Sequence, residues 1–182
     1  WNYNKLDYGD RFCSGLLFWY HNCSMRQVSS RMWDWSLEPT ASLYHTANSL
    51  EPLHAQFDYL KNTVSVVNDY YRSFNNYKVI ARVYDINSRK VYEESASVNL
   101  PEDGVANDVL TIRFPENISQ VHFIKLVLKD EKGKDVSSNF YWRSNDKYEG
   151  SKTLTGPASS GFEDLNKLKA ANVKLSYKAR QA

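Results

Sequence analysis

The chain has 182 residues, of which 42% are hydrophobic and 24% charged, and its 23 basic and 21 acidic residues leave a net charge of +2. This composition predicts one globular domain, or one domain and a remnant, and excludes disorder over the whole length. The balanced charge argues against nucleic acid as a partner, because such binding needs a concentrated basic face. The longest apolar run has five residues, so no membrane span of about 20 residues is predicted.

The first 50 residues differ in pattern from the rest of the chain. The chain begins at Trp1, which predicts a processed product or a piece of a longer protein. The apolar run at residues 16–20 is continuous rather than alternating, and this indicates a strand that is buried on both faces. A strand of that kind cannot form a sheet alone. A short helical turn is predicted at residues 46–53, where Pro52 limits its length.

From Ala55 onwards, short alternating runs are separated by turn residues, which is the pattern of a β-sandwich. We predict seven strands, at residues 55–59, 63–68, 77–86, 90–98, 109–114, 121–129 and 136–142. Period-two spacing places three sets of side chains on common faces: Val79, Ala81 and Val83; Leu110, Ile112 and Phe114; and His122, Ile124, Leu126 and Leu128. The fold class is therefore mainly β, an immunoglobulin-like antiparallel sandwich without a disulfide.

Turns and a linker account for most of the remaining sequence. Turn chemistry is expected at residues 75–76, 87–88, 101–104 and 130–133. Residues 143–160 are rich in small and polar residues and predict a linker. A short helix or turn is expected around Phe162 and Leu165, with Ser160 and Glu163 as a possible capping box. The stretch 173–177 alternates like a strand but has no partner left in the sequence.

No residue set predicts a metal or cofactor site. His45, Glu51 and His54 lie within ten residues, but their spacing is not that of a zinc-binding H-E-x-x-H motif. Cys13 and Cys23 have no local partner that would activate a thiol, so both are expected to be structural.

Acidic pairs and tryptophans are the remaining candidates for catalysis and binding. Asp34 with Glu38, and the adjacent Glu93 and Glu94, are expected to be solvated or locally hydrogen-bonded rather than an acid/base pair. Trp19, Trp33, Trp35 and Trp142 are candidates for stacking on a sugar ring. For Trp142, which ends a strand, a role in the core or in a domain contact is the stronger expectation. His122 is expected to be a half-buried histidine with satisfied hydrogen bonds.

Four motifs occur in a fixed order along the chain. They are a G-x-x-x-W-x-x-N pattern, an E-P-L-H sequence, an N-F-Y-W sequence and an F-x-D-L-x-x-L pattern. The matching residues are Gly15, Trp19 and Asn22; Glu51 to His54; Asn139 to Trp142; and Phe162, Asp164, Leu165 and Leu168. Together these motifs resemble glycoside hydrolase family two of the exo-β-D-glucosaminidase and β-mannosidase type, and the resemblance covers nearly the whole chain.

The resemblance implies a three-part organisation. Residues 1–53 would be the end of a catalytic (β/α)₈ barrel, 54–143 the immunoglobulin-like sandwich, and 144–182 a linker with the first strand of a following domain. The chain would then be a non-catalytic accessory fragment of a retaining glycosidase that acts on β-mannosides or β-glucosaminides. The family's two catalytic glutamates lie on earlier barrel strands, so the chain alone is expected to be inactive.

The resemblance also implies where substrate would bind in the parent. Trp19 would form the floor of a sugar subsite, and Asn22 would be its neighbour. The partners would be the rest of the parent glycosidase and its carbohydrate substrate, without cofactor or metal. The location would be the periplasm or the exterior of a bacterium. Cys23-Ser24-Met25-Arg26 stands where related enzymes carry a second Trp, so the sugar specificity stays open.

Two other functions stay open. The first is a free-standing immunoglobulin-like module that binds carbohydrate or mediates adhesion, which a surface row of aromatic residues on one sandwich face would favour. The second is a structural or interaction domain that is unrelated to sugar.

Overall fold

The structure is a computed structural model, and it describes residues 21–25, 31–145 and 161–170. These residues form one α-helix, seven β-strands and a short 3-10 helix. The bounds are α1 Ala41–Ser49, β1 Leu53–Asp58, β2 Thr63–Asn68, β3 Phe74–Asp85, β4 Lys90–Leu100, β5 Gly104–Thr111, β6 Val121–Lys129, β7 Asp135–Ser144 and the 3-10 helix Glu163–Lys167. The predicted buried strand at 16–20 and the predicted strand at 173–177 lie outside the described residues.

The strands form two antiparallel sheets. One has three strands in the order β1-β2-β5, and the other has four in the order β4-β3-β6-β7. The prediction of a seven-stranded immunoglobulin-like sandwich is confirmed.

The core lies between the two sheets and contains the predicted stripes. Val79, Ala81 and Val83 of β3 are fully buried, and so are Ile124 and Leu126 of β6. Phe57 of β1 is fully buried and lies between Tyr59 and Tyr141, with ring centroids 5.2 and 5.9 Å away. Alternating apolar residues therefore place one face of each sheet in the core.

One five-residue turn occurs three times in the part of the chain that the structure describes. Asp34, Asp85 and Asp130 each begin it, and a side-chain oxygen of each accepts backbone N–H bonds from the residues two and four positions later, at 2.8 to 2.9 Å. In each turn the fourth residue has positive φ, and these residues are Leu37, Ser88 and Gly133. The turns predicted at 87–88 and 130–133 are these hairpin turns, and 101–104 also forms a turn.

Several predicted boundaries of the helix, the strands and the turns were wrong. The helix begins at Ala41 rather than at residue 46, because Thr40 caps it by accepting a hydrogen bond from the Ser42 N–H. Asn76 lies within β3, at an irregularity where its N–H donates to the Asn99 side chain. Strand β5 begins at Gly104, five residues before the predicted start, and is irregularly paired with β2.

Candidate functional site

The structure describes one of the two residues that are expected to bind sugar. Trp19 lies outside the described residues. Asn22 is exposed and forms a parallel bridge with Trp33, and its backbone carbonyl accepts a 2.9 Å hydrogen bond from Arg31. The Trp33 ring lies 6.4 Å from the His21 ring. The backbone of Asn22 is therefore held in place, whereas a sugar-binding role for its side chain stays a prediction.

The segment after Asn22 replaces the tryptophan loop expected from the resemblance. Cys23 is buried at 6% exposure, as expected for a structural thiol, whereas Met25 is 64% exposed. Arg26 lies outside the described residues.

The predicted acidic pairs take part in local hydrogen bonds. Asp34 accepts three bonds within its turn, from the Ser36 N–H and hydroxyl and from the Glu38 N–H. Glu93 contacts Arg82 at 2.9 Å and Lys90 at 2.6 Å, and these two cations lower the pKa of its carboxyl group. Both carboxylates are therefore occupied by structural partners.

The histidines and glutamate around α1 do not form a metal site. No cluster of three or more metal-binding side chains occurs in the ranges that the structure describes. Glu51 instead accepts a 2.9 Å bond from the Ser137 hydroxyl, and the His54 Nε2 lies 2.9 Å from the Asn139 amide nitrogen. Both residues contact β7, which sequence spacing could not indicate.

Two histidines are buried in the structure, and His122 is buried more deeply than expected. His54 is 5% exposed, and burial lowers its pKa to about 4. His122 is 1% exposed rather than half buried, and burial also lowers its pKa. Its Nδ1 lies 3.3 Å from the Ser119 carbonyl oxygen, but its Nε2 has no hydrogen-bond partner in the described structure. Both imidazoles are therefore neutral at pH 7.

The N-F-Y-W sequence lies on β7, and its first and third residues connect the two sheets. Asn139 donates a 2.7 Å hydrogen bond to the Ala55 carbonyl and contacts His54, while its side-chain oxygen accepts a bond from Asn48. The Tyr141 hydroxyl accepts a 3.2 Å bond from the Phe57 N–H. Strands β1 and β7 are edge strands of different sheets, so these bonds join the sheets at that edge.

The second and fourth residues of the motif point the other way. Phe140 is 50% exposed and Trp142 is 57% exposed. The expected core role of Trp142 is therefore wrong, because strand alternation places it on the outer face opposite Tyr141. A domain contact remains open for it.

Comparisons with known proteins agree with the fold and the motifs. Residues 61–148 match the family described as the mannosidase Ig/CBM-like domain. An exo-β-D-glucosaminidase of Streptomyces avermitilis is 26% identical over 133 residues, which cover 72% of this chain and 15% of that protein. One from Hypocrea virens is 25% identical over 180 residues, covering 96% of this chain and 20% of that protein.

Two solved structures share the fold. The exo-chitosanase of Amycolatopsis orientalis has a TM-score of 0.69 and 23% identity, covering 79% of this chain and 17% of that one. The β-D-mannosidase of Dictyoglomus thermophilum has a TM-score of 0.51 and 16% identity, covering 69% of this chain and 16% of that one.

The two antiparallel sheets, joined by the Asn139 and Tyr141 side chains, define an immunoglobulin-like domain. The resemblance to family-two glycoside hydrolases is confirmed, because residues 61–148 match the mannosidase Ig/CBM-like domain and the relatives are exo-β-D-glucosaminidases. The chain spans 15 and 20% of the length of the two curated relatives described above. Among the described residues, no helix has the length and hydropathy that a bilayer crossing requires.

Proposed function

We propose that this chain is a non-catalytic accessory part of a retaining glycosidase that cleaves β-mannosides or β-glucosaminides. The observation that carries the proposal is the match to the Hypocrea virens exo-β-D-glucosaminidase, which extends over 96% of the chain rather than over the sandwich alone. In this proposal residues 1–53 complete the catalytic barrel, and the sandwich supports it. A secreted or periplasmic location in a bacterium is part of the same proposal.

The contacts between the helix and the sandwich support this mechanical role. The Asn48 side chain donates to the Asn139 side-chain oxygen at 2.5 Å, and Glu51 accepts from Ser137. These bonds attach the chain just before the sandwich to β7. A barrel that ends at α1 would therefore be held in a fixed orientation by the sandwich.

The state of the carboxylates supports the absence of chemistry in this chain. A retaining glycosidase needs two carboxyl groups about 5–5.5 Å apart, one of them able to donate a proton. Asp34, Glu51 and Glu93 are each engaged by structural donors. Substrate binding is assigned to Trp19 and Asn22 in the parent, where the carboxyl ends of barrel strands form the site.

Hydrolysis of aryl β-mannoside and aryl β-glucosaminide tests the proposal. The parent protein should cleave at least one of them, and the isolated 182-residue chain should cleave neither. Turnover by the isolated chain above the buffer rate would refute its non-catalytic role, and a parent inactive on both substrates would refute the substrate assignment.

Trp19→Ala in the parent tests the assigned sugar contact. Loss of an indole face costs about 1–3 kcal/mol, so kcat/KM should fall roughly ten-fold to a hundred-fold. Tyr71→Ala is the control, because Tyr71 is 87% exposed in the β2–β3 connection and is not a candidate for sugar binding. An equal loss in both variants would contradict the assignment to Trp19.

A free-standing carbohydrate-binding module is the second candidate, since Phe140 and Trp142 place exposed aromatic rings on one sandwich face. Glycan-array binding by the isolated chain separates the two candidates. Saturable binding that Trp142→Ala abolishes would favour the module, whereas the accessory function predicts no binding.

A further inference from the structure

The outer face of the four-stranded sheet is divided into a polar half and an apolar half. On β4 the outward residues include Glu93, Ser95 and Ser97, all exposed. On β6 and β7 they include Phe123, Phe140 and Trp142, which we call the aromatic patch. A sheet face that only met solvent would be polar across all of its strands.

The aromatic patch forms a continuous surface. The Phe123 and Phe140 rings are stacked, with centroids 5.6 Å apart and an angle of 23° between their planes. Phe123 is directly opposite Trp142 in the β6–β7 register. Adjacent exposed aromatic side chains of this kind are typical of the centre of a protein interface.

The patch is continuous with a contact that the chain already makes. Ser138 precedes Phe140 by two residues on β7, so it shares the outer face with the patch. Its backbone carbonyl accepts a 3.4 Å bond from the Asn48 side chain, near the end of α1. The Asn48 side chain also donates to Asn139, whose side chain lies on the inner face, so α1 contacts the edge of β7 immediately before the patch.

We propose that the aromatic patch is the surface on which the catalytic barrel of the parent docks, through the outer helices adjacent to α1. This rests on the proposed function, in which α1 belongs to the barrel's outer helical ring. Docking there would bury Phe140 and Trp142 and leave the polar β4 half in solvent. A glycan is the less suitable occupant, because sugar sites need several convergent polar groups. The exposed charged side chain that β6 places beside the patch is Lys125, which lies opposite Phe140.

Hydroxyl-radical footprinting read by mass spectrometry tests the docking. The isolated chain and the intact parent are oxidised in parallel, and modification is measured at each aromatic residue. Trp142 and Phe140 should be modified about ten-fold less in the parent, because an interface core is packed as tightly as a protein interior. Tyr71, which is 87% exposed in the β2–β3 connection, is the control and should be modified equally in both.

The outcomes separate this proposal from the proposed function. A parent that hydrolyses aryl β-glycosides but leaves Trp142 as reactive as in the isolated chain would overturn the docking alone. A parent without glycosidase activity in which Trp142 is protected would overturn the proposed function and leave the contact standing. Protection of Trp142 in the isolated chain by added mannan or chitosan oligosaccharides would identify a glycan site and overturn the docking.

A variant pair gives an independent readout in the parent. Phe140→Ser with Trp142→Ser should split one calorimetric transition into two, because the sandwich and barrel would no longer unfold together. Tyr71→Ser should leave the single transition intact. A single transition in both variants would contradict a docking role for the patch.

Discussion

The sandwich and the segment before it are held together in different ways. Between the two sheets, residues such as Phe57, Val79 and Leu126 are completely buried. In residues 31–52, Thr46 is the buried residue, and Trp35, Leu37, Tyr44 and Leu50 are each more than half exposed. The sandwich therefore has its own apolar core, whereas the segment depends on hydrogen bonds and on its attachment to β7.

The largest expected effect concerns the core of the sandwich. Phe57→Ala removes a fully buried ring that contacts Tyr59 and Tyr141, so the free energy of unfolding should fall by about 3–5 kcal/mol. Urea denaturation measures this. Tyr71→Ala, at an 87% exposed site, should change stability by less than about 0.5 kcal/mol. Similar values for the two variants would mean that the sandwich is not the stable unit.

The second prediction concerns pH and the junction between the two regions. Burial lowers the pKa of His54 to about 4 from 6.5, so the unfolded chain binds the proton more tightly than the folded one. Stability should therefore be complete above pH 6.5 and decline as pH falls towards 4, by at most roughly 3 kcal/mol from this residue. His122 acts in the same direction.

Urea denaturation at pH 7 and pH 4.5 measures this loss. His54→Gln retains an oxygen that can accept the Asn139 bond, and it should reduce the loss between the two pH values. An unchanged pH dependence in His54→Gln would exclude His54 as its source.

The third prediction concerns the bonds that attach the segment to the sandwich. Asn139→Ala leaves the buried Ala55 carbonyl without its 2.7 Å side-chain partner and removes the bond to Asn48. Stability should fall by about 2 kcal/mol, and amide hydrogen exchange in α1 should accelerate more than in β3. Asn107→Ala, at an exposed site on β5, is the control. If α1 exchanged no faster in Asn139→Ala, the attachment would have to lie elsewhere.

The smallest predicted effect concerns the five-residue turn, which occurs both in the sandwich and in the segment before it. Leu37 and Gly133 occupy the same turn position with φ of 62° and 81°. Leu37→Gly should slow amide exchange in its turn, with a gain of at most about 1 kcal/mol. Gly133→Ala should cost about 1 kcal/mol by backbone strain alone, since an added Cβ would meet no atom within 4 Å. Equal signs for the two changes would contradict this interpretation.

Local sequence patterns predicted the strands whose ends are marked by turn residues. The bounds of β2 and β6 agree with the sequence prediction, because both strands alternate between well-marked turns. The start of α1 was missed, because Thr40 has Leu43 rather than an acidic residue or Gln three positions later, and no capping box marked it.

Long-range contacts could not be predicted in this way. The partners of Asn139 lie 84 to 91 residues away, so no local spacing indicates them. Adjacent residues of a strand lie on opposite faces, so Trp142 is exposed because Tyr141 points into the molecule. Which of the two points inward depends on how β7 packs in the tertiary structure. The roles of Trp19 and Asn22 rest on the resemblance and stay predictions.

The turn that begins at Asp130 constrains how this domain can change in evolution. Residues 131–134 of this turn are exposed, and exposed loops are usually where insertions are tolerated. Yet β7 follows it directly, and one added residue that shifted the β7 register would send Asn139 and Tyr141 outward and Phe140 and Trp142 inward. Both the link between the sheets and the apolar outer surface would be lost together. Homologous domains should therefore keep the length of this loop constant while its charged residues vary freely.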